Sequence, residues 1–127
     1  MDLRNGETLT VEALLCCLLM ENANDAAIVL AEKVAGNQSS FVTLMNQKAK
    51  ELGALNTNFV NPNGLHDPEH KSTAYDLAMM ARYAMTNPAI SPIFREFVTT
   101  YKYEIPPTNV KTEMRHLYNT NRLLYDT

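Results

Sequence analysis

Between Glu12 and Glu21 the chain runs Ala13-Leu14-Leu15-Cys16-Cys17-Leu18-Leu19-Met20, and no other stretch limits its folding options so strongly. As a helix this run presents apolar side chains around almost its whole circumference. A helix of that kind has to lie in the middle of a structure with neighbours on several sides. Thr10 is placed to cap it, and Glu12 falls in the first turn, where the helix dipole favours an anion. The run stays well below the roughly 18 apolar residues needed to span a bilayer, so it predicts a core helix of a soluble chain. The 127 residues amount to one domain's worth of chain, enough for a core of this size.

The flanking pattern is also helical. Asn22 to Asn24 interrupts with cap-forming residues, and Asp25 to Val34 resumes until Gly36 can end it in the left-handed conformation. From Ser39 to Leu52 the set Phe41, Leu44, Met45, Ala49 and Leu52 follows spacings of three and four, with Gly53 as the stop. Asn56 to Lys71 is rich in Asn, Pro, Gly and His, and Asn61-Pro62-Asn63-Gly64 has the residue types of a tight turn. Thr73 with Asp76 reads as a capping box opening a helix whose buried stripe is Leu77, Met80, Ala81, Ala84 and Met85. A shorter helix is expected from Pro92 to Val98, because proline suits a first turn. From Thr99 to His116 the pattern changes to alternation around Pro106-Pro107, which predicts a two-stranded ribbon with few partners of its own.

Composition removes several functions. Eleven Lys and Arg against 14 Asp and Glu leave a net charge of -3, so there is no broad positive field to hold a nucleic acid or an anionic membrane face. Cys16 and Cys17 are adjacent and point apart on a helix, which makes a disulfide between them strained and a buried structural role the expectation. His66, His70 and His116 lack the paired Cys or clustered carboxylates that complete a ligand set, so neither metal nor cofactor is expected. The chain opens without the basic-then-apolar pattern of a signal peptide, and nothing in it reports export.

The corner Glu21-Asn22-Ala23-Asn24-Asp25-Ala26-Ala27 resembles the one that carries the Ser-x-Asn motif of serine-type D-alanyl-D-alanine carboxypeptidases, the low-molecular-weight penicillin-binding proteins. Six further blocks are similar to that family's, in the family's order: Gly6-Glu7-Thr8-Leu9-Thr10-Val11, Phe41-Val42, Ala49-Lys50-Glu51-Leu52-Gly53, Asn61-Pro62-Asn63-Gly64-Leu65, Ser72-Thr73-Ala74-Tyr75-Asp76-Leu77-Ala78 and Asn119-Thr120-Asn121-Arg122-Leu123-Leu124. Together they cover nearly the whole chain.

The resemblance implies a Ser-x-x-Lys nucleophile motif, the Ser-x-Asn motif and a Lys-Thr-Gly motif converging on one cleft. There the serine attacks the D-Ala-D-Ala carbonyl, a lysine manages its proton, and a hydroxyl and an amide hold and relay. Ser39, Ser40, Ser72 and Ser91 have no lysine three residues on; by resemblance the Ser-x-x-Lys block is expected before Met1 and the Lys-Thr-Gly block beyond Thr127. Catalytic residues are therefore expected to be absent from this chain. Substrate binding is assigned by resemblance to Asn24, which matches the motif, and to Asn22, which stands where the family usually has serine. An amide such as that of Asn24 can both donate to and accept from a peptide. Read from the residues alone, Asn22 and Asn24 are helix caps.

The expected fold is mainly α, the helical subdomain of the β-lactamase and penicillin-binding transpeptidase-like α/β fold with a short β-ribbon near the C-terminus, as one partial domain over 1–127. The implied function is that of a carboxypeptidase trimming terminal D-Ala from peptidoglycan stem peptides in cell-wall maturation, with the isolated chain inactive. Its alternative is a non-catalytic helical module that binds a peptide or partner. The implied partners are stem peptides and β-lactams for the full-length parent, working outside the cytoplasmic membrane. Self-association through apolar surface around Leu14 to Met20 is a further expectation.

Overall fold

The computed structural model describes residues 1–124. It contains α1 (Val11–Glu21), α2 (Asn24–Ala35), α3 (Gln38–Glu51), α4 (Ala74–Thr86), α5 (Ser91–Thr99), β1 (Lys102–Ile105), β2 (Arg115–Tyr118) and a 3₁₀ turn at Arg122–Leu124. These elements form two compact units, one made of Met1–Leu30 with the segment from Arg95 onward, the other of Ala31–Phe94. The second unit is thus one uninterrupted stretch, and the first is assembled from two separated ones.

The first unit is built around α1. Thr10 caps it, its hydroxyl accepting from the Ala13 N–H at 3.1 Å, and Glu12 occupies the first turn. Cys16, Cys17 and Met20 are completely buried, packed in one cluster with Ala13, Leu14, Ala23, Ala26, Phe97, Ile105 and Leu117. Leu15, Leu18 and Leu19 are partly buried against the same cluster. The all-round apolar helix therefore finds its neighbours inside the chain, and the expectation that Leu14 to Met20 is the uncovered surface is corrected. The ribbon supplies part of the cover. β1 and β2 pair antiparallel with Lys102 opposite Tyr118 and Ile105 opposite Arg115. Ile105 and Leu117, on the buried face, turn inward to the α1 cluster. A hairpin that would be marginal alone is stable on such a helix.

The first unit is also tied through its N-terminal segment. Glu7, whose side chain is buried, accepts from the Arg115 guanidinium of β2 and, at 2.7 Å, from the Thr108 hydroxyl. Burial pushes the Glu7 carboxyl up, but the Arg115 and Thr108 hydrogen bonds outweigh it and hold the group below its ordinary value. Nε and Nη1 of Arg115 are buried and have no partner among the described residues.

The second unit is organised differently. Its buried apolar residues among those described are small, Ala31, Ala49 and Ala54, and polar clamps hold its long loop. The Asn46 amide of α3 donates to the Phe59 carbonyl and accepts from the Phe59 N–H, both at 2.8 Å. Asn61 accepts from the Gly64 N–H at 2.7 Å and closes the turn expected there, with Gly64 at φ +75 where a side chain is disfavoured. Gly36 ends α2 at φ +81, donating to the Glu32 carbonyl.

Two sequence expectations fail in this unit. The capping box at Thr73 is only half made: the Thr73 hydroxyl accepts from the Asp76 N–H, but the Asp76 carboxylate turns away to the Asn56 N–H at 2.7 Å and the Thr57 hydroxyl at 2.8 Å. A long-range pair of donors from the loop outcompetes the local one. The α4 stripe is not buried either. Leu77 is 54% exposed, Met85 is at the edge of exposure and Ala81 is exposed, while Met80 and Ala84 are half-buried.

Candidate functional site

Asn22 and Asn24 sit on the corner between α1 and α2, and different constraints fix the two. Asn22 is the C-cap of α1, at φ 54 and ψ 41, with its backbone N–H directed to the Cys17 and Leu18 carbonyls. The left-handed region is costly for most side chains and least so for glycine and asparagine. Asn22 is thus a residue that the backbone of this corner favours. Ala23, 6% exposed, plugs the corner into the core, and its carbonyl accepts the first intrahelical bond of α2 from the Ala27 N–H. That geometry makes Asn24 the first helical residue and not a cap, which corrects the simpler reading of it. Its side chain is exposed and makes no hydrogen bond to another described residue. Asn24 therefore presents both an amide donor and an amide acceptor to the outside of a rigid corner.

The corner is buttressed by the end of the ribbon. Glu21 accepts from the Tyr118 N–H at 3.1 Å. The Thr120 N–H donates to the Met20 carbonyl at 2.9 Å, satisfying one of the orphan acceptors at the end of α1. The Asn22 Nδ2 donates to the Thr120 Oγ1 at 3.4 Å. Asn119, 4% exposed, holds this turn in place: its Nδ2 donates toward the carbonyls of Val98 and Thr100 at 3.2 and 3.0 Å, and its Oδ1 accepts from the Asn121 N–H at 2.9 Å. Sequence reasoning had placed Asn119 and Thr120 in a family block but had not connected them to the corner. Residues 22 and 120 are 98 apart, and no local pattern links them.

The remaining candidates lie elsewhere. Ser39 and Ser40 are in the first turn of α3, Ser72 is within 2.9 Å of the Thr57 hydroxyl, and Ser91 opens α5. His70 Nδ1 accepts from the Val60 N–H at 3.3 Å, and His116 lies 3.2 Å from Glu104. Burial pushes the Cys16 thiol up to about 11 and the Cys17 thiol up to about 12, with the nearby acidic side chains adding to the effect. A thiol held that far above neutrality supplies no thiolate nucleophile. A cavity of about 280 Å³ on the first unit is lined by Thr8, Leu9, Glu12, Tyr103 and Pro106, among others, and contains neither corner asparagine.

A helical chain with a short ribbon seated on its first helix matches part of the structure of penicillin-binding proteins. The model superposes on a D-alanyl-D-alanine carboxypeptidase from Mycobacterium tuberculosis H37Rv with a TM-score of 0.85 at 32% identity, over 99% of this chain and 46% of that one. Penicillin binding protein 6B from Escherichia coli gives 0.84 at 31%, over 100% of this chain and 37% of that one. The chain belongs to the D-alanyl-D-alanine carboxypeptidase family, whose model matches residues 1–127. Among relatives, D-alanyl-D-alanine carboxypeptidase DacF of Bacillus subtilis is 39% identical over 122 residues, 96% of this chain and 30% of that protein. The chain thus spans about a third of the length of such relatives.

Proposed function

We propose that this chain is the helical part, one partial domain over 1–127, of a serine-type D-Ala-D-Ala carboxypeptidase that removes terminal D-Ala from peptidoglycan stem peptides. The observation that carries the reading is Asn24, exposed on a corner locked by a left-handed Asn22, a buried Ala23 and the Asn119–Asn121 turn. A side-chain amide so placed can hold a peptide bond from the side, accepting its N–H and donating to its carbonyl. Asn22, beside it, is the second substrate-binding residue of the proposal. Family membership supports β-lactams as ligands of the parent and a place of work outside the cytoplasmic membrane; no helix among the described residues is long and apolar enough to cross a membrane.

Taken alone, the chain is inert. It holds no Ser-x-x-Lys and no Lys-Thr-Gly, and acyl transfer needs nucleophile, proton manager and oxyanion donors in one geometry. Incubation with a labelled penicillin should leave its intact mass unchanged, while a longer chain that includes the Ser-x-x-Lys segment gains one adduct. A stoichiometric adduct on the 127-residue chain, lost on changing one of Ser39, Ser40, Ser72 or Ser91 to Ala, overturns the proposal of an inert piece. We further propose that the isolated chain self-associates, through the apolar side chains that α3 and α4 leave exposed, Leu44, Tyr75, Leu77 and Met85.

A further inference from the structure

By the resemblance stated above, the amide of Asn22 stands where the family usually has a hydroxyl. An amide cannot relay a proton as a hydroxyl does. The structure brings another hydroxyl to the same place. Thr120 is exposed, and its Oγ1 accepts from the Asn22 Nδ2 at 3.4 Å. We propose that Thr120 supplies, at the corner, the hydroxyl function that Asn22 lacks. The proposal rests on the carboxypeptidase reading above and assigns a residue to that site.

Three features of the geometry support it. Because the Thr120 oxygen accepts from Asn22, its own proton remains available to donate to a substrate group or to another side chain of the cleft. The position of Thr120 is over-determined by its backbone: its N–H is bonded to the Met20 carbonyl at 2.9 Å, and the buried Asn119 beside it is tied to the carbonyls of Val98 and Thr100 and to the Asn121 N–H. The buried Asn119 fastens the turn to the end of α5, and the Thr120 N–H fastens it to α1. Finally, Glu21 accepts from the Tyr118 N–H at 3.1 Å, a further tie between the adjoining strand and the corner. Thr120 thus orders the Asn22 amide and offers a hydroxyl beside it as a proton-transfer group.

The test uses the longer chain that carries the nucleophile segment, with four variants and a labelled penicillin, and reads the acylation rate as a function of pH. Thr120→Val removes the hydroxyl but keeps shape, N–H and turn. The rate should fall by on the order of 100-fold, the lower end of what a positioned proton-transfer group contributes, with thermal stability unchanged and the pH profile altered. Thr120→Ser keeps the hydroxyl and should retain the rate within about threefold, an amount below 1 kcal/mol. Asn22→Ser alone removes the amide from the left-handed corner and serves as the reference for the double variant. Asn22→Ser placed on Thr120→Val should recover much of the lost rate, because the hydroxyl then returns through the other residue. A Thr120→Val enzyme as fast as the parent, or a double variant no faster than Thr120→Val, overturns the assignment while leaving the carboxypeptidase reading intact. A parent that is not acylated at all overturns that reading and this inference together.

Discussion

At the scale of single residues, the polar side chains of this molecule do more than their neighbours in sequence suggest. Asp76 shows why. Its place three residues after Thr73 made a local capping partner the natural reading, and half of that pairing exists. The carboxylate itself is 1% exposed and serves the loop, accepting from Asn56 and Thr57 some twenty residues away. Spacing reveals which bonds are possible locally but not which donors arrive from a distance, and here the Asn56 N–H and the Thr57 hydroxyl reach the buried carboxylate. Asp76→Ala removes the acceptor of the Asn56 N–H and one of the two partners of the Thr57 hydroxyl, and should lower stability by about 1–3 kcal/mol, whereas Asp76→Asn, which keeps an acceptor oxygen, should cost less. Urea denaturation of the two variants measures this, and an Asp76→Ala loss below about 0.5 kcal/mol would place the residue among ordinary surface positions. Asn22 was legible in a different sense. The sequence marked it as a cap and as a departure from a motif, and its left-handed backbone reconciles the two.

At the scale of elements, what was legible is what periodicity encodes. The helices from Thr10, from Asp25, from Ser39 and from Thr73 begin and end within a few residues of α1 to α4, since caps and stop glycines are local devices. The direction in which each helix buries its apolar residues was less legible. α1, apolar on all faces, is a helix that needs neighbours on several sides, but the sequence does not say which, and Phe97, Ile105 and Leu117 come from the other end of the chain to supply them. α4 had a clean apolar stripe and was expected to bury it, yet Leu77 is exposed. A stripe states that a helix can be covered, and only the tertiary partner decides whether it is. The cover over α1 makes a measurable difference to its cysteines. With both thiols fully buried and shifted far above neutral pH, a thiol-specific reagent at pH 8 should label neither Cys16 nor Cys17 in the native chain and both in denaturant. Rapid native labelling of either would show that the ribbon does not stay seated on α1.

At the scale of the whole molecule, the proposed self-association depends on the exposed apolar side chains of α3 and α4. Leu44 and Leu77 are 46% and 54% exposed, and soluble monomers carry such side chains singly more readily than in groups. Light scattering should give a mass above that of one 14.3 kDa chain, and replacing Leu44 and Leu77 together by Gln should return it toward the monomer. A wild-type chain that is monomeric at high concentration and fails to bind a hydrophobic dye counts against the idea. The family and its block order were legible from the sequence because they reside in short contiguous motifs. The buttress of the corner was not, because it joins residues from opposite ends.

That last arrangement has a thermodynamic corollary. The first unit leaves off after Leu30 and resumes at Arg95, so Glu21 and Tyr118 meet across a long excursion that makes up the second compact unit. The entropy of closing such a loop grows only with the logarithm of its length, about 0.6 kcal/mol for each doubling of a flexible segment. In the unfolded chain the entropic cost of bringing Glu21 to Tyr118 therefore depends only weakly on how long the excursion is, and lengthening its loops should cost the corner little.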